Sequence, residues 1–407
     1  MAKRALLVGC NYAGTEYPLN GCINDVFSIK AVLTELYGFE EDSFTVLIDT
    51  DETYEQPTGK NIKARLGELV AASQAGDILF FHFSGHGTQI PGDNPDEADR
   101  SDEAICPTDF NVILDDDLRA IVKDLDDAVF FTFIADCCHS GGMLDHAGIQ
   151  ITGPKSDSVA PPVDVGAFLS AVGLKPKQVR GKKMEDLSGV NITNRSLPTE
   201  ALMGLLGNKL GKPVGQGDLR PALGSLFGAD ASQKVQQYLQ VAGMLVSMVE
   251  GTETAKTGCL ATLLPMIKQL LGKIGGGGGG GGGAAGQPQH PPSAPPSVLP
   301  PGVKPPSEEL LAQDKGVLIT GCQASETSAD ACIGNDVSKS FGALTNAVTT
   351  IVRSHHAKNP GQPLPYSTLV YSVRDMLDKS GFSQNPCLEG SAKNADSNFV
   401  LGSAFSE

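Results

Sequence analysis

The 407-residue chain contains no tryptophan, and no apolar run in it approaches the roughly 20 residues that span a bilayer. The opening segment, MAKRALLVGCNYAG, has a short apolar stretch that ends in Gly, Cys, Asn and Tyr, without the longer apolar core and small-residue cleavage site of a secretory signal. A soluble, cytoplasmic protein is therefore the expectation. The segment LLVGCNYAG, which ends a strand near glycines, contains neither Gly-x-Gly-x-x-Gly nor Gly-x-x-x-x-Gly-Lys-Ser/Thr, so it gains little support as a phosphate-cradling nucleotide site. The nine cysteines are odd in number and scattered, with no Cys-x-x-Cys pair, which argues against a disulfide framework and a structural zinc site. Positive charge is scarce. With 31 Lys and Arg against 47 Asp and Glu, the net charge of −16 disfavours nucleic acid or an anionic membrane as partner.

The charge is also unevenly spread. Residues 93–127 hold 13 acidic and 3 basic side chains, whereas residues 175–220 hold 9 basic and 4 acidic. That polarity favours an approach of the second segment to the first.

Residues 1–146 alternate between strand and helix patterns. Lys3–Gly9, Phe44–Ile48, Asp77–Phe83 and Val129–Ala135 are short apolar runs bounded by turn residues, and Asn24–Tyr37 and Asn61–Ala72 carry apolar residues at helical spacing. Strands alternating with helices predict an α/β fold whose mainly parallel sheet is sandwiched by helices, with functional residues at the carboxyl ends of strands. From 147 to 274 the chain is punctuated by Gly and Pro before two amphipathic stretches, Ser232–Met248 and Leu260–Leu271. Nine consecutive glycines at 275–283 open a Gly/Pro-rich tether that runs to Pro306. Further on, Gly316–Thr320 reads as a strand, Val337–Arg353 and Ser367–Leu377 as helices, and Phe399–Leu401 as a closing strand. This final block is too small for a core of its own, so it is expected to complete the first domain's sheet.

Two strand ends carry chemistry. Phe83-Ser84-Gly85-His86-Gly87 and Asp136-Cys137-Cys138-His139-Ser140-Gly141-Gly142 each follow an apolar run and break into glycines, which lets backbone approach a ligand. A cysteine becomes a nucleophile when a base or cation stands close, and a histidine on a neighbouring strand end provides one. Period-2 alternation puts Asp136 and Cys138 on one face and turns Cys137 into packing. Singly, a cysteine or histidine near a strand end is most often packing; the pair is what points to catalysis.

FSGHG and DCCHSGG resemble the Ser-Gly-His-Gly and Asp-x-Cys-His-Ser-Gly boxes of metacaspases. GCINDV (21–26), DEAICPTDFNVILDDDL (102–118) and GVLITGCQASETSADA (316–331) resemble that family's first helix, acidic loop region and small-subunit strand. The 52-residue spacing from His86 to Cys138 is close to the caspase spacing of about 50, although the Gln-Ala-Cys signature of caspases is absent. A long insert between the two matching parts, with no prodomain before them, is similar to type II metacaspases of plants and algae. The resemblance divides the chain into a large catalytic piece (1–146), a linker with an autoinhibitory role (147–274), the tether (275–306) and a small catalytic piece (307–407).

The resemblance implies a calcium-dependent cysteine endopeptidase, monomeric, that cuts protein substrates after Arg or Lys. Cys138 is then the nucleophile, His86 its proton partner, and the N–H groups of Gly87 and Cys138 the oxyanion donors. A basic substrate side chain demands carboxylates, and Asp136 and Asp25 fill that role, with Ser84 at the rim of the pocket. Asp102, Asp115, Asp116 and Asp145 match calcium-binding positions, oxygen ligands that suit that ion's irregular coordination, while the run Asp115–Asp117 leaves the register open. Cys22 and Cys322 lie in family-like segments near the site, with packing as their plainer role. The basic stretch KPKQVRGKK (175–183) is expected to plug the acidic pocket until self-cleavage, after Arg180 in the first place and after Lys183 or Lys177 otherwise. Arg180 is chosen by resemblance, lying 15 residues before Arg195 of the NRSLP segment, where type II metacaspases carry a similar basic processing residue. The alternative is a catalytically silent caspase-like scaffold that binds partners through its linker.

Overall fold

The computed structural model of the chain describes residues 1–91, 101–138, 149–151, 190–250, 316–323, 326–333, 336–390, 394 and 396–400. The apolar runs become a central sheet. In it β1 (Lys3–Gly9), β2 (Phe44–Ile48), β3 (Ile78–Ser84), β7 (Phe130–Asp136) and β10 (Val317–Thr320) run parallel, while β13 (Cys387–Glu389) and β8 (Ile149–Ile151) extend it antiparallel. The order is β2-β1-β3-β7-β10-β13-β8, so strands from the last hundred residues stand directly beside β7.

Two cores flank this sheet, and β3 shows why. Its alternation sends Leu79, Phe81 and Phe83 into one core and Ile78 and Phe80 into the other. The first core is covered by α2 (Gly59–Ala71), α3 (Asp115–Val122) and three linker helices, α4 (Thr199–Leu210), α5 (Leu219–Phe227) and α6 (Gln233–Glu250), through Leu66, Leu118, Leu202, Leu223 and Val235. The second is covered by α1 (Cys22–Tyr37), α7 (Ala343–Lys358) and α8 (Tyr366–Lys379). Thr58 caps α2 by accepting from the Asn61 N–H, and α1 stops at Gly38, whose left-handed φ of 66° suits glycine.

Two three-stranded sheets sit at the edge of this frame. One is β4 (His86–Pro91), β5 (Ser101–Cys106) and β6 (Ile113–Leu114); the other has the order β12 (Asp336–Gly342), β11 (Ala329–Ile333), β9 (Val190–Asn194). The segment 102–118, expected as acidic loop, is thus mostly β5, β6 and the start of α3. The helix expected from Val337 begins only at Ala343, because residues 336–342 pair with β11, a long-range partner that overrides local pattern. The closing strand expected at Phe399–Leu401 is not seen at Phe399 or Val400, Leu401 lying outside the described residues, while Cys387–Glu389 joins the sheet. Phe399 packs instead against Tyr37, Phe80 and Tyr366, and Val400 adopts a positive φ of 68°. The stretch Leu260–Leu271 and the tether lie outside the described residues.

Candidate active site

The register pairs Gly9 with Ser84 and Ser84 with Asp136, so β1, β3 and β7 end side by side. His86 opens β4 two residues beyond Ser84, and Cys138 follows β7 by two. Backbone packing forces the two together: a Cβ built on Gly87 would fall 1.6 Å from the Cys138 carbonyl oxygen, so only glycine fits there. His86 Nε2 lies 2.9 Å from the Tyr17 carbonyl, which can only accept, so Nε2 carries the proton and Nδ1 presents a lone pair. Nδ1 is buried without a hydrogen-bond partner. Burial pulls the imidazole pKa down, while the Tyr17 and Arg195 backbone groups push it up. Tyr12 holds this histidine from behind. Its hydroxyl accepts from the His86 N–H at 2.8 Å, and its ring centroid is 4.7 Å from the imidazole.

Cys138 Sγ accepts from the Ser328 N–H at 2.8 Å and donates to Asn194 Oδ1 at 3.3 Å. Cys137 instead belongs to the first core, as alternation predicts. Cys322 also reaches the site: its hydrogen bond with Cys138 leads the causes that push its thiol pKa far up. Cys22 is buried beside the pocket, and burial raises its pKa well above the ordinary range against the pull of Arg195.

Next to the thiol lies a closed acidic pocket, and Arg195 fills it. Arg195 Nη2 is 2.9 Å from Asp25 Oδ2 and 2.9 Å from Asp330 Oδ1, and Nη1 is 3.2 Å from Asp136 Oδ1. Nη1 also donates to Ser84 Oγ at 2.8 Å, and Ser84 donates to Asp25 at 2.7 Å. Ser84 is therefore inside the pocket, fully buried, rather than at its rim. Asp136 is held by Thr345 N–H and Oγ1 at 2.8 and 2.7 Å and by Ser328 Oγ at 3.0 Å. Gly342 forms the floor. Its N–H donates to Asp25 at 2.9 Å, and a Cβ on it would come 2.3 Å from Asp136 Oδ2. Burial first, and the neighbouring Asp136 charge next, push Asp25 up to about 7 against the pull of Arg195.

The backbone around Arg195 is bound as a strand. β9 pairs antiparallel with β11, and the Arg195 N–H donates to the Ser328 carbonyl at 3.0 Å. The Arg195 carbonyl accepts from the Gly87 N–H at 2.9 Å, and the Leu197 N–H donates to the Gly87 carbonyl at 2.8 Å. Sequence reasoning put the stretch 175–183 in the pocket; the occupant is Arg195. Arg180 lies outside the described residues.

The implied calcium ligands are differently engaged. Asp102 sits on β5 and Asp115 and Asp116 on the first turn of α3, rather than on loops; Asp145 is outside the described residues. Both Asp102 oxygens are taken, by Lys234 at 2.6 Å and Arg220 at 2.8 Å, and Asp116 pairs with Lys234 and Arg119. Among the described residues no three acidic, His or Cys side chains group as a metal-holding set. As arranged, Asp102 and Asp116 fit cations of the chain rather than a metal ion.

A thiol and an imidazole at adjacent ends of a mainly parallel sheet, beside carboxylates that grip a basic side chain, define a cysteine peptidase of caspase-like architecture. Residues 3–147 match the family model for the metacaspase, peptidase C14 domain. Metacaspase-6 of Arabidopsis thaliana is 34% identical over 397 residues, covering 95% of this chain and 96% of the relative. Metacaspase-9 of the same plant is 35% identical over 402 residues, with 98% and 96% covered. Metacaspase-1A of Neurospora crassa is 44% identical over 149 residues, 35% of this chain and 33% of that protein. The chain belongs to the metacaspases, in their type II branch, and is a cysteine peptidase by family.

Asp330, Gly342, Tyr12, Ser328 and Thr345 were missed as site residues. Asp330 alone carried a signal, as a carboxylate within the family-like segment 316–331.

Proposed function

We propose that the protein is an endopeptidase that cuts after arginine or lysine, and that its first substrate is its own chain, at the bond between Arg195 and Ser196. The observation that carries this is the pose of Arg195: guanidinium among three carboxylates, N–H on a strand edge, carbonyl on the Gly87 N–H. That is how an extended peptide is held for attack at its carbonyl carbon. Cys138 sulfur adds to that carbon, and the oxyanion that develops gains the Gly87 N–H, with the Cys138 N–H as the proposed second donor. His86 Nδ1 takes the thiol proton and returns it to the departing Ser196 nitrogen, while Nε2 stays on the Tyr17 carbonyl. Water then releases the acyl group. The intact thiol and imidazole favour this reading over a silent scaffold.

Assay of the purified chain with Arg-, Lys- and Asp-terminated fluorogenic peptides tests it. Turnover of the first two, abolished in Cys138→Ala, is expected; equal turnover of the Asp peptide refutes the basic specificity.

A further inference from the structure

Two of the acids that sequence reasoning assigned to calcium, Asp102 and Asp116, already face cations of the linker. Asp102 is fully buried on β5, and its two oxygens bind Lys234 of α6 and Arg220 of α5. Lys234 Nζ lies 2.6 Å from Asp102 Oδ1 and 2.6 Å from Asp116 Oδ2, a compact positive charge clasped between two carboxylates. Asp115 is 7% exposed, and its Oδ1 is buried with no hydrogen-bond partner, an oxygen left over beside the filled pair. Buried carboxylates are tolerated only when such charge faces them. A second cation cannot use the oxygens that Lys234 holds.

We propose that Lys234 is a built-in counter-ion that locks the linker helices onto the catalytic unit, and that it and a divalent cation of the calcium class exclude each other at Asp102 and Asp116. The inference rests on the expected calcium ligands and is independent of where the chain cuts itself. By linkage, whatever strengthens ion binding weakens the docking of α5 and α6, and the reverse. The coupling reaches the cut site. The linker returns to the catalytic unit just after Arg195, where Thr199 Oγ1 donates to the Gln89 carbonyl and Thr88 Oγ1 to the Leu197 carbonyl. Loosening the helices therefore frees the carboxyl side of the scissile bond.

The full-length Cys138→Ala chain, which cannot cut itself, is titrated with calcium chloride by calorimetry while amide exchange in 219–250 is followed by mass spectrometry. Calcium should speed that exchange. Adding Lys234→Met should speed it without calcium and lower the calcium midpoint by about tenfold, a usual size for such coupling. Lys234→Arg should keep slow exchange and weak calcium binding, and Asp102→Asn should give fast exchange with binding lost. An unchanged midpoint in Lys234→Met overturns the exclusion, as does calcium that slows exchange. Absence of calcium binding in every variant overturns it together with the calcium expectation, and leaves the cut at Arg195 standing.

Discussion

Asp25 near the start of the chain and Asp330 near its end both stand 2.9 Å from the same nitrogen of Arg195. The large piece alone supplies Asp25, Ser84 and Asp136; the small piece closes the pocket with Asp330 and the Gly342 floor. Burial is the main reason Asp25 is pushed up rather than down; the Arg195 guanidinium pulls the other way, and the neighbouring Asp136 charge adds to the rise.

Asp330→Asn is expected to lower kcat/KM for Arg peptides by about a hundredfold, the equivalent of about 2.7 kcal/mol. Asp25→Asn and Asp136→Asn should lower it at least as much, because each leaves a buried cation short of a partner. Steady-state kinetics check this, and a clear preference for Asp-terminated peptides in the parent enzyme would contradict the acidic pocket.

Binding should also depend on pH through Asp25. Arg195 lowers a carboxyl that burial has raised, so a docked arginine depresses the pKa relative to the empty pocket. The attraction is then complete above the empty-pocket value and is lost as pH falls through about 7. In the processed enzyme KM for an Arg peptide should climb as pH falls from the empty-pocket value to about 7 and level off below it, and Asp25→Asn should flatten the climb. A KM indifferent to pH from 5.5 to 8 (a range chosen to bracket that value) would remove Asp25 from substrate binding.

Cys138→Ala should abolish peptidase activity, and His86→Ala nearly so. Cys137 is fully buried in the first core, so Cys137→Ala should keep most activity and lose about 1 kcal/mol of stability. Thermal melts and peptide turnover together separate the two adjacent cysteines; an inactive Cys137→Ala with a live Cys138→Ala reverses the assignment.

Much of this site was legible because its elements are local. Apolar runs with turn residues gave β1 and β2 to the residue, and glycine-broken strand ends singled out His86 and Cys138, whose segments the sheet brings side by side. What escaped depends on distant pairing. Residues 337–342 look helical until β11 is present to pair with them, and nothing local marks Gly342 as the place where Asp25 and Asp136 converge. The excess of acid in 93–127 and of base in 175–220 predicted attraction between the segments. The partners, Arg195 in one pocket and Arg220 in the other cluster, follow from the register of β9 on β11 and from the docking of α5, which composition does not encode.

Self-cleavage should create a new amino terminus at Ser196. Arg195 is fully buried with its carbonyl on the Gly87 N–H, so its bond is the one presented to Cys138. Arg195→Gln drops the charge and shortens the side chain, leaving three carboxylates without their cation, and should abolish the cut at this bond. Arg195→Lys should be cut more slowly, since one ammonium cannot reach all the acceptors that two guanidinium nitrogens span. Arg180→Gln, in contrast, should leave the cut unchanged. Asn194 adds a brake: its Oδ1 accepts from the Cys138 thiol and from the Ser196 N–H at 2.8 Å, tying nucleophile and leaving group to one side chain. Asn194→Ala should therefore speed the cut several-fold. Mass spectrometry of the wild type and the four variants, with Cys138→Ala as the uncut control, reads the terminus and the rate. A new terminus at Gly181 that disappears in Arg180→Gln and persists in Arg195→Gln would move the processing site back to the basic stretch and leave Arg195 as a pocket plug alone.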